Sequence, residues 1–147
     1  MALINRLINK SLFLDTAPFI YFIEGHSQYH ERLLEVFKLN DDGTIKFQTS
    51  TLTLLEVLVL PLKLNKSDLA KQYEEILTSS PNIDIYDVDI SVSKQAAELR
   101  AIYDLKTPDA IQLATAINHN ADFFFTNDLD LNRVSEIEII TLAKLKD

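Results

Sequence analysis

The 147-residue chain has no cysteine. Disulfides, zinc–thiolate centres, iron–sulfur clusters and thiol nucleophiles are therefore excluded, and a small cysteine-free chain is expected in a reducing cytoplasm. Glycine is almost as scarce. Gly25 and Gly43 are the only two, too few for a P-loop or a Gly-rich dinucleotide fingerprint. No apolar run approaches the roughly 18 residues that span a bilayer, so no membrane partner is expected. The opening stretch "MALINRLINKSLFLD" is too short and broken in its apolar part for a signal peptide. Basic residues are outnumbered 14 to 22 by acidic ones, for a net charge of −8. That balance argues against a general polyanion binder. It leaves room for an enzyme that concentrates its acids at a metal site.

Apolar residues make up 47% of the chain and charged residues 24%, a mixture that folds. The length suits one domain over 1–147 with a sizeable core. Turn signals fall at Asp41-Asp42-Gly43, Ser79-Ser80-Pro81-Asn82 and Asn118-His119-Asn120. Between them, short apolar runs predict strands at 11–15, 45–52, 83–88, 122–127 and 137–142. Helical spacing predicts helices over 17–24, 28–39, 54–63, 67–78, 91–103 and 108–119, with Pro61 kinking or ending the third. Strands alternating with helices imply an α/β fold: a three-layer α/β/α sandwich around a mostly parallel sheet of about five strands.

Ligands of open α/β sheets bind beyond the carboxyl ends of the strands, and four acids fall there. Asp15 ends the first strand, Asp128 follows the fourth in "TND", Glu56 sits in the helix after the second, and Asp109 opens the helix in "LKTPDAIQLATAI". Each has a local explanation. Thr53 and Glu56 fit a capping box, Asp15 and Asp128 suit helix caps, and Asp109 follows a Thr107 cap and complements the helix dipole. As a set they are harder to explain locally. Two unit charges about 4 Å apart repel by roughly 4 kcal/mol at an effective dielectric near 20, which a cation or a shared proton must offset. Carboxylates without His or Cys are ligands for Mg²⁺ or Mn²⁺, and such centres hydrolyse phosphodiesters.

The stretches "FLDTAPFIYFIE", "TSTLTLLEVLVLPL", "LRAIYDLKTPDAIQLATAI" and "ADFFFTNDLDL" resemble, in order and spacing, a PIN-domain ribonuclease, above all the toxin of VapBC toxin–antitoxin pairs. The resemblance runs from about Leu12 to Leu142. It implies a PIN-like fold and a Mg²⁺- or Mn²⁺-dependent endoribonuclease whose cut leaves a 5′-phosphate and a 3′-hydroxyl. Asp15, Glu56, Asp109 and Asp128 match the family's acids as catalytic and metal-binding residues. Thr126 matches a hydroxyl that supports the fourth acid, with Asp130 as a substitute for Asp128. The first motif departs from the family: "DTA" stands where many members read "DTN". The resemblance also implies an RNA substrate, a cognate antitoxin that blocks the pocket, and a homodimer.

Arg100, Lys106 and Arg133 flank the acids in sequence, and Lys63 and Lys66 follow the Glu56 helix, so any of them is a candidate RNA contact. His26, His30 and His119 lack metal-ligand spacing and read as surface residues. Phe13, Phe19, Tyr21, Phe22 and Phe123 to Phe125 read as core. Two other functions fit parts of the pattern. One is a phospho-accepting receiver-like signalling domain, with Asp87 and Asp89 at its third strand. The other is a catalytically inactive PIN-like module that only binds a partner.

Overall fold

The computed structural model describes residues 2–145. Five strands, β1 (Ser11–Leu14), β2 (Lys46–Ser50), β3 (Ile83–Tyr86), β4 (Phe123–Thr126) and β5 (Glu138–Thr141), form one parallel sheet in the order β3-β2-β1-β4-β5. The helices are α1 (Ala2–Leu7), α2 (Thr16–Ile23), α3 (His30–Asp41), α4 (Thr51–Lys63), α5 (Ser67–Ser79), α6 (Ile90–Tyr103) and α7 (Thr107–Asn118). Two 3₁₀ turns, Leu129–Arg133 and Leu142–Leu145, flank β5. No described helix is long and apolar enough to cross a membrane.

Leu12–Leu14 of β1 and Phe123–Phe125 of β4 are apolar without alternation because both sheet faces are covered. Leu12, Leu14, Phe123, Phe125 and Ile140 pack on one side with Leu7, Phe19, Leu33, Val36, Val57, Tyr73 and Leu77 of α1 to α5. Phe13, Phe124 and Ile139 turn to the other side, onto Val92, Ala96, Ala110 and Leu113 of α6 and α7. The Phe13 and Phe124 rings stack at 5.4 Å across neighbouring strands, which adds to their area burial. The three-layer sandwich expected from the pattern is therefore the fold.

Three of the boundaries that differ from expectation bear on the site. The second strand stops at Ser50, whose hydroxyl accepts the Thr53 N–H, so Thr51 and Leu52 are already helical. Glu56 therefore lies one turn inside α4, and the Thr53–Glu56 capping box does not form. Likewise Lys106, not Thr107, precedes the first residue of α7, and no side chain caps that helix. The strand at 83–88 ends at Tyr86, and Asp89 accepts the Val92 N–H to start α6. Pro61 sits in the last turn of α4, two residues before its end; its carbonyl accepts the Lys66 N–H. Helix α1 has no counterpart in the sequence reading; its Leu7 is buried against the sheet.

The strand order also corrects the receiver-like reading. A flavodoxin-like receiver has the order 2-1-3-4-5, with its third strand beside the first. Here β3 is the sheet edge beyond β2, so Asp87 and Asp89 stand away from Asp15, and Asp89 is occupied as a helix cap.

Candidate metal centre at the carboxyl ends of the central strands

From β1 the chain winds outward through β2 to β3, then returns to place β4 on the opposite side of β1. The reversal falls between β1 and β4, where open α/β sheets form their crevice. Asp15 stands directly on it. Its N–H donates to the Phe125 carbonyl at 2.9 Å, extending the β1–β4 ladder by one rung. Its carboxylate accepts from the Thr16 N–H (2.9 Å), from the Thr126 hydroxyl (2.9 Å) and, at 3.5 Å, from the Gln112 amide. Burial pushes the Asp15 carboxyl up to about 6 despite the Thr16 and Thr126 donors, and the negative charges of Asp109 and Glu56 push the same way.

Asp109 is the third residue of α7, and no hydrogen bond to its carboxylate forms among the described residues. The helix-dipole account accordingly leaves its effect on the other acids unexplained. Burial raises its carboxyl, followed by the charge of Asp128; Lys106 opposes the rise, and Glu56 and Asp130 add to it. Asp15 feels Asp109 and Glu56, and Asp109 feels Asp128 and Glu56. The structure thus brings the four sequence-predicted acids into one electrostatic neighbourhood, with β1, α4, α7 and the end of β4 each supplying one. Neither ion pair among the described residues, Arg6–Glu138 or Arg133–Asp130, neutralises any of the four.

The buried Thr126 ties two of them together. Its hydroxyl donates to Asp15 and accepts the Asp128 N–H at 3.1 Å, so it supports the first acid through its side chain and the fourth through its backbone. Asp128 itself turns back to accept the Asp130 N–H at 3.0 Å. Glu56 accepts from the Thr16 hydroxyl at 2.5 Å, so the threonine of "DTA" links α2 to α4. With Glu56 and Asp128 held in these local bonds, no three described acids or histidines converge tightly enough to grip one ion. The donor chemistry nonetheless fits a hard divalent cation: carboxylate oxygens alone, mutually repelling, partly desolvated.

The remaining candidates separate clearly. Lys106 acts on Asp109. Arg100 is exposed on α6 and donates through Nε to the Leu105 carbonyl at 2.8 Å, bracing the α6–α7 connection, where Asp104 adopts φ 54°. Arg133 donates to Asp130 and to the Tyr103 carbonyl. Lys63 lies two turns, about 10 Å of helix, beyond Glu56 and points to the far end of α4, with Lys66 beyond it. The histidines are not the surface residues expected: each is half-buried. His26 packs at a tilt against Tyr21, His30 stacks on Phe22 and His119 on Tyr86.

Sequence reasoning missed Gln112, which reaches Asp15, and its buried partner Ser50, and saw Thr53 only as a capping residue. Ser50 donates to Gln112 Oε1 at 2.5 Å, and Gln112 Nε2 donates to Thr53 Oγ1 at 2.6 Å. The available signal was Gln112 itself, the one polar side chain in the otherwise small and apolar "DAIQLA" stretch after the acid.

A family model described as the PIN domain matches residues 12–137. The chain belongs to the PIN domain family. No curated protein matches it in sequence. Solved structures do match it in fold. The chain is similar to VapBC2 from Rickettsia felis bound to a promoter DNA fragment, with 20% identity, TM-score 0.69, and coverage of 89% of this chain and 98% of that one. It is equally similar to a toxin–antitoxin complex from Klebsiella pneumoniae, with 22% identity, TM-score 0.69, and coverage of 89% and 97%. VapC20 of Mycobacterium tuberculosis, described as a sarcin–ricin loop cleaving toxin, matches with 17% identity, TM-score 0.67, and coverage of 86% and 98%.

Proposed function

We propose that the chain is a divalent-metal-dependent endoribonuclease and the toxin member of a toxin–antitoxin pair. The observation that carries this reading is the mutual charge influence of Asp15, Glu56, Asp109 and Asp128 at the β1–β4 crevice, with no ion pair to any of them among the described residues. Mg²⁺ or Mn²⁺ would be held by Asp15, Asp109 and Asp128, with Glu56 binding directly or through water, and would activate water for attack on the phosphodiester while offsetting phosphoryl charge. Thr126 and the Thr16 N–H hold the Asp15 carboxylate in one orientation. Glu56, once released from the Thr16 hydroxyl, is placed to orient the nucleophile. Lys106 offers the cation beside the acids through which an acidic protein can meet a phosphate.

The partnership rests on two supports. Similar folds occur in proteins described as VapBC and toxin–antitoxin complexes. Leu55, Val59 and Leu62 also form an exposed stripe on α4, the kind of surface that a protein partner covers. An antitoxin and a second copy of the chain are both proposed as occupants. Light scattering of the purified chain, alone and with the protein encoded beside it, tests each. The activity is tested by incubating cellular RNA with the chain in Mn²⁺ or EDTA, beside Asp109→Asn. Discrete Mn²⁺-dependent products with 5′-phosphate ends, absent in the variant, are expected. Equal cleavage by Asp109→Asn would sink the reading. A chain that binds its partner in the wild type and in Asp15→Asn but cleaves no RNA, including the sarcin–ricin loop, would be the inactive binding module.

A further inference from the structure

Gln112 is 1% exposed, in the layer that α7 presses against the sheet. Burying an amide there costs free energy unless its hydrogen bonds are met, and here they are met by a closed circuit. Ser50 Oγ accepts the Thr53 N–H and donates to Gln112 Oε1; Gln112 Nε2 donates to Thr53 Oγ1. Ser50 and Thr53 are both 0% exposed. The carboxylate of Asp15 fixes which end of the amide is which: it only accepts, so the end of Gln112 that lies toward it is Nε2, and Ser50 faces the oxygen. The second Nε2 proton then points to Asp15 Oδ1 at 3.5 Å.

The placement along the helices gives the circuit a further meaning. Residues three apart on a helix share a face. Gln112 lies three residues after Asp109 on α7, and Thr53 lies three residues before Glu56 on α4. The Gln112–Thr53 bond is therefore a rung directly beneath the Asp109–Glu56 pair, and its other donor reaches the third acid. An apolar residue in this place would join α4 and α7 but would fix neither their register nor their rotation at the acids.

We propose that Gln112 is a positioning residue that sets the spacing of Asp15, Glu56 and Asp109, and through it the affinity for a divalent cation. The inference rests on the metal-centre reading above. Partners behind metal ligands are worth about 10- to 100-fold in affinity, and that range is expected here.

The test is Mn²⁺ binding by titration calorimetry on the whole chain, without RNA, so that turnover plays no part. Gln112→Met keeps the volume and removes the amide; a 10- to 100-fold weaker Mn²⁺ affinity is expected. Ser50→Ala keeps Gln112 and every acid in the chain but removes the hydroxyl that holds the amide, together with the N-cap of α4. It is expected to weaken binding in the same direction, and it carries the test if Gln112→Met does not fold. Leu77→Ala, in the opposite layer, lowers the melting temperature through packing alone and is expected to leave Mn²⁺ affinity unchanged. If Asp15→Asn abolishes Mn²⁺ binding while Gln112→Met and Ser50→Ala bind as the wild type does, the positioning role is wrong and the metal centre stands. If Asp15→Asn binds Mn²⁺ like the wild type, the metal-centre reading fails and takes this inference with it.

Discussion

The two ends of the same parallel sheet treat their acids in opposite ways. At the amino ends, Asp122 and Glu138 stand apart from one another, each with its own partner. Asp122 accepts the Ser11 N–H at 2.8 Å and the Ser11 hydroxyl at 3.1 Å, and Glu138 meets Arg6 at 2.5 Å, while that guanidinium also lies over the Phe123 ring. At the carboxyl ends, Asp15, Glu56, Asp109 and Asp128 share one electrostatic neighbourhood, and both Asp15 and Asp109 are driven toward their neutral forms. The strands between are the same few residues, so the difference is not one of scaffold. Pairing is what a sheet edge needs for stability. Mutually repelling acids in a crevice cost stability, and we attribute their arrangement there to something they bind.

The largest effect should come from breaking the carboxyl end alone. Asp15→Asn is expected to lower RNA cleavage by about 10³-fold or more, the equivalent of several kcal/mol of charge stabilisation. The same exchange at the amino end, Asp122→Asn, should leave cleavage unchanged; initial rates on one RNA compare the two. Next in size, Phe124→Ala removes the stacked ring that both ends share and should cost about 3–5 kcal/mol in urea unfolding.

A pH series sharpens the contrast further. The Asp15 carboxyl is raised in the folded state to about 6, so between about pH 4 and 6 the folded chain holds more protons than the unfolded one. Stability should therefore fall as pH rises through that window, by on the order of 2 kcal/mol, and the lost stability is present in full only below the unfolded value. Unfolding followed across pH 4–8 without divalent ions should show the fall in the wild type and a flatter profile in Asp15→Asn. The smallest effect is expected from Arg6→Ala, which breaks an exposed pair worth at most about 1 kcal/mol and should leave cleavage untouched.

Much of this was legible in the sequence because it follows from periodicity and from acids at strand ends. "FLD" and "FFFT" announce buried strands, and Asp15 and Asp128 follow them by one and two residues. What escaped was set by contacts between distant segments. Gln112 bonds Ser50, 62 residues away in sequence, and no local rule makes a lone amide in an apolar helix part of a circuit. Helix boundaries slipped where two capping residues competed: Ser50 took the cap that Thr53 offered. The histidines escaped for the same reason as Gln112, since His26, His30 and His119 look polar in sequence but are half-buried against aromatic rings.

The most direct measurement is the anomalous difference map of crystals soaked in Mn²⁺. The account predicts density between Asp15, Asp109 and Asp128, with Glu56 turned toward it and away from Thr16. Mn²⁺ bound elsewhere on the chain, with the four carboxylates left as they stand, would contradict it.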